Sequence, residues 1–167
     1  MDAVVVATPN FTHIDVMREI FKTDKHVLLE KPMCTSVEDA KEVVQSSKSH
    51  KGVVWIGLEY RYMTTISAAL ENLEAVGDIR MCAIREHRFP FLKKVNNWNR
   101  FNQNTGGTLV EKCCHFFDLM NQVIPSEPVS VFASGGQDVN HLQEIYEGET
   151  SDILDNAYVI VNYANGA

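Results

Sequence analysis

Apolar positions in the first third of the chain alternate between two spacings. Ala3 to Ala7 is an unbroken run of small and β-branched residues, ended by Thr8-Pro9-Asn10. Ile14, Met17, Ile20 and Phe21 then recur at the intervals of a helix with one buried face. His26 to Leu29 is a second short run. Thr35 and Glu38 follow at capping-box spacing, ahead of a helical face made by Ala40, Val43 and Val44. Val53 to Gly57 is the third run. Strands apolar on both faces and separated by helices predict a β-α-β-α-β segment, a parallel sheet covered on both sides.

Beyond Leu58 the pattern changes. It predicts a helix around Thr65 to Val76, a long alternating strand from Ile79 to Phe89, and a polar loop holding Trp98 and Arg100. Gly106-Gly107 opens an apolar helix running to about Ile124. Strands at Val129 to Ala133 and Ala157 to Tyr163 flank a solvated acidic loop with Glu144, Glu147 and Glu149. The expected class is α/β: a parallel-sheet domain over residues 1–57, then a partial α+β domain with a mainly antiparallel sheet over 58–167. A buried strand starting at residue 3 and a last strand ending just before the terminus predict a chain cut at both ends.

Composition narrows the function classes. Of 167 residues, 45% are hydrophobic and 22% charged, which is globular rather than disordered material. A net charge of −7 argues against nucleic acid or an anionic membrane as partner. No apolar run approaches the roughly 18 residues of a membrane span, and the first residues do not read as a signal peptide. Cys34, Cys82, Cys113 and Cys114 have no Cys-x-x-Cys spacing, so they read as reduced thiols of a cytoplasmic protein.

Two stretches hold candidate chemistry. In an open parallel sheet, ligands bind outside the carboxyl ends of the strands, where Thr8-Pro9-Asn10 and Glu30-Lys31-Pro32 both fall. Alone, Lys31 reads as a solvated loop lysine and Pro32 as a helix stop. Two adjacent strands ending in the same way point to a site. In "GGTLVEKCCHFFDLM", Glu111, His115 and Asp118 stand at i, i+4 and i+7, a polar stripe on an apolar helix. That stripe reads equally as a satisfied core network or as a histidine base oriented by carboxylates, with a metal site as a weaker third reading. No metal is expected, and His13, His26, His50, His87 and His141 are given no role.

"DAVVVATPNFTH", "DKHVLLEKPM", "GLEYRYM" and "WNRFNQNTGGTLVEKCCHFFDLM" together resemble the Gfo/Idh/MocA family of oxidoreductases, from Asp2 to about Ile124. The resemblance implies the C-terminal half of a Rossmann-like domain followed by a substrate and oligomerisation domain. It implies NAD or NADP as cofactor, a sugar or cyclitol hydroxyl as substrate, and a homo-oligomer formed through the second-domain sheet. It places Lys31 beside the nicotinamide, with a cis bond to Pro32, His115 as the acid/base, and Glu111 as a further catalytic residue where the family commonly has Asp. Thr8, Pro9, Asn10, Glu30, Pro32, Trp98 and Arg100 match cofactor-contacting positions. The family's Gly-x-Gly-x-x-Gly turn occurs nowhere in the 167 residues. Two alternatives accompany this reading: a truncated, inactive binding or oligomerisation module, and a metal-dependent lyase or hydrolase using Glu111, His115 and Asp118.

Overall fold

The computed structural model describes residues 1–167. Strands β1 (Ala3–Val6), β2 (His26–Leu29) and β3 (Val54–Ile56) alternate with helices α1 (His13–Ile20) and α2 (Val37–Ser47). Helices α3 (Thr64–Glu71), α4 (Leu73–Val76), α5 (Asn102–Thr105), α6 (Thr108–Glu111) and α7 (Cys114–Val123) follow. The remaining strands are β4 (Pro128–Gly136), β5 (Ile145–Tyr146), β6 (Glu149–Thr150) and β7 (Asn156–Tyr163). Contacts divide the chain into two compact units. The first holds residues 1–57, 92–114 and 141–153; the second holds 58–91, 115–140 and 154–167. The second part of the sequence therefore contributes two segments to the unit of the parallel sheet.

In unit 1 the sheet is parallel in the order β1-β2-β3, with Val4 opposite Val27 and Val6 opposite Leu29. Val6, Val27 and Leu29 bury against Met17 and Ile20 of α1 and Val43 of α2. Only this face is covered. Val5, Leu28 and Trp55, on the other face, are 66%, 37% and 48% exposed, which corrects the expected two-sided cover. Two successive right-handed crossovers that step the same way along a sheet place both helices on one side. The α2 cap also sits one residue later than its sequence signal. Ser36 Oγ accepts from the Asp39 amide at 3.1 Å and donates to Asp39 Oδ2. With that phase Val43 is buried, while Val44 turns outward at 47% exposed.

The other segments of unit 1 form a kinked stretch over Val95–Arg100, with Asn96 and Asn97 in the left-handed region at φ 54 and 55, then α5, α6 and the β5–β6 hairpin. Gly106 ends α5 at φ +80, where a Cβ would lie 2.8 Å from Val110 Cγ1 and 3.1 Å from Thr35 O. The left-handed backbone and the close approach both call for glycine.

In unit 2, β4 and β7 pair antiparallel, with Val131 opposite Val161. Residues 79–89 form no strand, against the expectation from their alternation. Alternation sorts side chains onto two faces, but a strand also needs a ladder partner, and β4 and β7 pair only with each other. Met81 is 85% and Phe89 59% exposed. The helix expected from Gly107 to Ile124 is interrupted. The Cys113 amide reaches back five residues to Thr108 O at 3.4 Å, a widened turn after which α7 restarts at Cys114. Glu111 therefore ends α6, while His115 and Asp118 belong to α7.

Candidate active site

The turns that follow β1 and β2 lie side by side at the carboxyl edge of the parallel sheet. Thr12 Oγ1 donates to Pro9 O and accepts from the Thr8 hydroxyl. Asn10 is buried, and its amide donates to Thr105 O at 3.3 Å, tying the first turn to α5. In the second turn Glu30 Oε2 accepts from the Lys31 amide, and the Lys31–Pro32 bond is cis, as the resemblance implies. Lys31 Nζ donates to the carbonyl of Glu111 at 3.0 Å. His13 joins the two turns, with Nδ1 2.9 Å from Pro32 O and Nε2 3.0 Å from Thr8 O. Sequence reasoning gave His13 no role. Its signal was a polar residue in phase with buried Met17 and Ile20, four and seven positions on.

Trp98 and Arg100 belong to the same unit. Trp98 meets Phe11 edge-on at 6.2 Å between ring centroids, with the Lys94 ammonium 4.8 Å above the indole. Arg100 is buried; Nε donates to Glu144 Oε2 at 2.8 Å, while Nη1 has no partner within the protein. Glu144, its side chain 37% exposed, thus anchors Arg100 from within an acidic loop whose Glu147 and Glu149 face solvent. The Tyr146 hydroxyl bond pulls its carboxyl down to about 2 against an opposing effect of burial, helped by His141 and Arg100. Glu111 behaves in the opposite sense. Burial raises its carboxyl above the usual range, and Lys94, Lys31 and Arg100 only partly offset this. Lys94 Nζ is 4.0 Å from Glu111 Oε1.

His115 belongs to unit 2 and is buried. Tyr60 stacks on its ring at 4.1 Å and 8°, and Glu59 Oε1 lies 3.4 Å from Nε2. The carboxylate seen facing the imidazole is therefore Glu59, which sequence reasoning passed over. Asp118 forms a two-pronged ion pair with Arg61, which holds that guanidinium charged. No group of three or more His, Cys, Asp or Glu side chains is arranged to hold a metal ion.

Residues 1–58 match a family model described as "Oxidoreductase family, NAD-binding Rossmann fold". Residues 70–167, more than half the chain, match the same family's C-terminal alpha/beta domain. The chain belongs to the GFO/IDH/MocA oxidoreductase family. Among its relatives, a Bacillus subtilis protein assigned as the oxidoreductase YteT is 30% identical over 80% of this chain and 32% of its own length. The myo-inositol 2-dehydrogenase of Thermotoga maritima is 26% identical over 100% of this chain and 48% of its own. The fold is that of levoglucosan dehydrogenase in complex with NADH and levoglucosan: TM-score 0.80 at 19% identity, covering 100% of this chain and 46% of that one. The GFO/IDH/MocA matches thus cover residues 1–58 and 70–167, while the chain spans half or less of the length of these relatives.

Proposed function

We propose that this chain is the part of an NAD(P)-dependent GFO/IDH/MocA oxidoreductase that carries its catalytic groups, and that the reaction moves a hydride between nicotinamide and a hydroxyl-bearing carbon of a sugar or cyclitol. One observation carries the reading. Two proline-containing turns end adjacent parallel strands at the ligand-binding edge, and Lys31 stands in the second of them. Buried Arg100, with Nη1 unpartnered in the protein, fits an anionic group of a dinucleotide and supports the cofactor reading. Names of relatives support the substrate class: inositol, levoglucosan and 2,7-anhydro-N-acetylneuraminate are all hydroxylated rings.

In this reading Thr8, Pro9, Asn10, Glu30, Lys31, Pro32, Trp98 and Arg100 hold the cofactor, with Asn10 acting through its buried tie to Thr105. The nicotinamide supplies the hydride chemistry. Removing hydride from a carbinol carbon makes its O–H acidic, so His115 takes the proton as the general base. The Lys31 ammonium lowers the energy of the developing alkoxide. Glu111 holds Lys31 through its backbone carbonyl, and Glu59 faces the imidazole of His115. The metal-dependent alternative loses its basis: Asp118 is committed to Arg61, and the helix that would align it with Glu111 is broken.

Self-association through β4 and β7 belongs to the same proposal, supported by Val131, Phe132, Tyr158 and Ile160, each at least 60% exposed there. No helix is long and apolar enough to cross a membrane. The four free cysteines suit the reducing cytoplasm.

The test joins these residues to an upstream Gly-x-Gly-x-x-Gly unit and assays NAD(P)-dependent oxidation of inositol and levoglucosan. Lys31→Met should lower kcat about 100-fold or more while dinucleotide Kd changes by less than about threefold. Unchanged turnover in the variant removes Lys31 from the chemistry.

A further inference from the structure

His13 is 0% exposed, yet it is polar and sits on the face of α1 that Met17 and Ile20 press into the core. A leucine would fill that space without the cost of burying ring nitrogens, a cost met only when those nitrogens are bonded. Each faces a carbonyl at hydrogen-bond distance, and the two carbonyls come from different turns: Pro32 O at 2.9 Å from Nδ1 and Thr8 O at 3.0 Å from Nε2. The β1 and β2 strands are parallel, so no hairpin links these turns. Beyond Val6 and Leu29 the ladder continues only in the bond from the Glu30 amide to Val6 O. From there on, the separation of the two turns depends on what spans them.

We infer that His13 is a positioning residue: a single imidazole braces the Thr8–Asn10 turn against the Glu30–Pro32 turn and holds the dinucleotide-facing edge of unit 1 in one shape. The inference rests on the functional reading above, in which both turns contact the cofactor. Carbonyls only accept, so a ring with one proton donates to one turn and packs on the other, while a ring with two donates to both. In either state one rigid, fully buried group spans both turns. The anchoring extends further, because Asn10 at the end of the first turn ties to Thr105, and Lys31 in the second ties to Glu111. A shift of either turn would move Lys31 relative to the cofactor-facing residues of the other. Such displacements, even of about 1 Å, cost heavily in a hydride-transfer geometry.

The experiment uses the 167-residue chain with His13→Leu, which keeps volume without donors, and His13→Gln, which keeps volume and one donor. Amide exchange is followed at Thr12 and Glu30, whose amides bond within and beside the turns, and at Val27, which bonds Val53 O in the sheet. Losing a buried hydrogen bond is worth about tenfold in an opening equilibrium. Thr12 and Glu30 should therefore exchange about tenfold faster in His13→Leu, with Val27 within about twofold of wild type and His13→Gln intermediate. Uniform acceleration at all three, or a leucine variant equal to the glutamine variant, overturns the brace and leaves His13 a packing residue.

A second arm titrates millimolar NADH and follows the amides of Thr8, Asn10, Glu30 and Lys31 by NMR. In the wild type the two turns should shift along one isotherm, which weakens about tenfold in His13→Leu. Shifts of equal size and midpoint in the variant overturn the positioning role. Wild-type shifts that fall on other amides and spare both turns overturn the cofactor reading instead, and the exchange ratios then decide the brace by themselves.

Discussion

At the scale of single residues, burial and charge act against each other most clearly at Glu111. Its carboxyl is pushed up by burial, and the nearby cations only partly compensate. A carboxyl whose folded value lies above its unfolded one binds its proton more tightly in the fold. Stability therefore falls as pH rises from the ordinary glutamate value, about 4.3, through the raised one. Glu111→Gln removes that loss. The variant should melt like the wild type at pH 4 and be more stable at pH 8, by on the order of 1 kcal/mol. Lys31 keeps its partner in the variant, since it bonds the backbone carbonyl of residue 111. Thermal melts at the two pH values decide this, and a variant less stable at pH 8 shows that the cations outweigh burial.

At the scale of elements, the β-α-β-α-β segment was legible because each of its strands and helices is set by neighbours a few residues away. The runs at Ala3, His26 and Val53 and the 3.6-residue face of α1 need no distant partner to be recognised. The unpaired 79–89 segment and the broken α6–α7 helix were not legible. One depends on whether a second strand arrives, the other on a single amide choosing an acceptor five residues back. Asp155 offers the matching test in unit 2. Burial alone would raise its carboxyl, but it accepts from the amides of Asp138, Val139 and Asn140 and from the Asn156 side chain, which together bring it down to about 2. A depressed value means stability that is full above the unfolded value, about 3.9, and lost as pH falls toward 2. Asp155→Ala should cost roughly 1 kcal/mol at pH 7, a figure kept low because the carboxylate is partly solvated. Its difference from wild type should close between about pH 4 and about 2; a gap independent of pH would trace the cost to packing instead.

At the scale of the whole molecule, the 167 residues contain no Gly-x-Gly-x-x-Gly turn, the usual holder of a dinucleotide pyrophosphate at a helix N-terminus. Each missing charge-assisted bond is worth roughly 1.5 to 3 kcal/mol, so several together weaken binding by orders of magnitude. The chain alone should bind NAD and NADP no more tightly than millimolar and show no turnover. Calorimetric titration with both cofactors is decisive, and a micromolar isotherm in either shows that these residues hold the pyrophosphate in another way. Exposed Val5, Leu28 and Trp55 on the parallel sheet, with the apolar residues of β4 and β7, leave large surfaces for self-association. Sedimentation should show species larger than the monomer.

By itself the sequence determined the parallel sheet, the helices that cover it and the two proline-marked turns at its edge, because strand runs, helical period and proline act through adjacent residues. The tertiary structure alone decided which groups meet at the candidate site. His13 reaches Thr8 and Pro32, Glu59 reaches His115, and Glu144 reaches Arg100. Except for Thr8, each partner lies on a different segment of the chain, and in a linear sequence nothing distinguishes an acid or a histidine that will meet such a partner from one that meets only water. That difference arises only when folding removes the water and leaves each polar atom to find its bond.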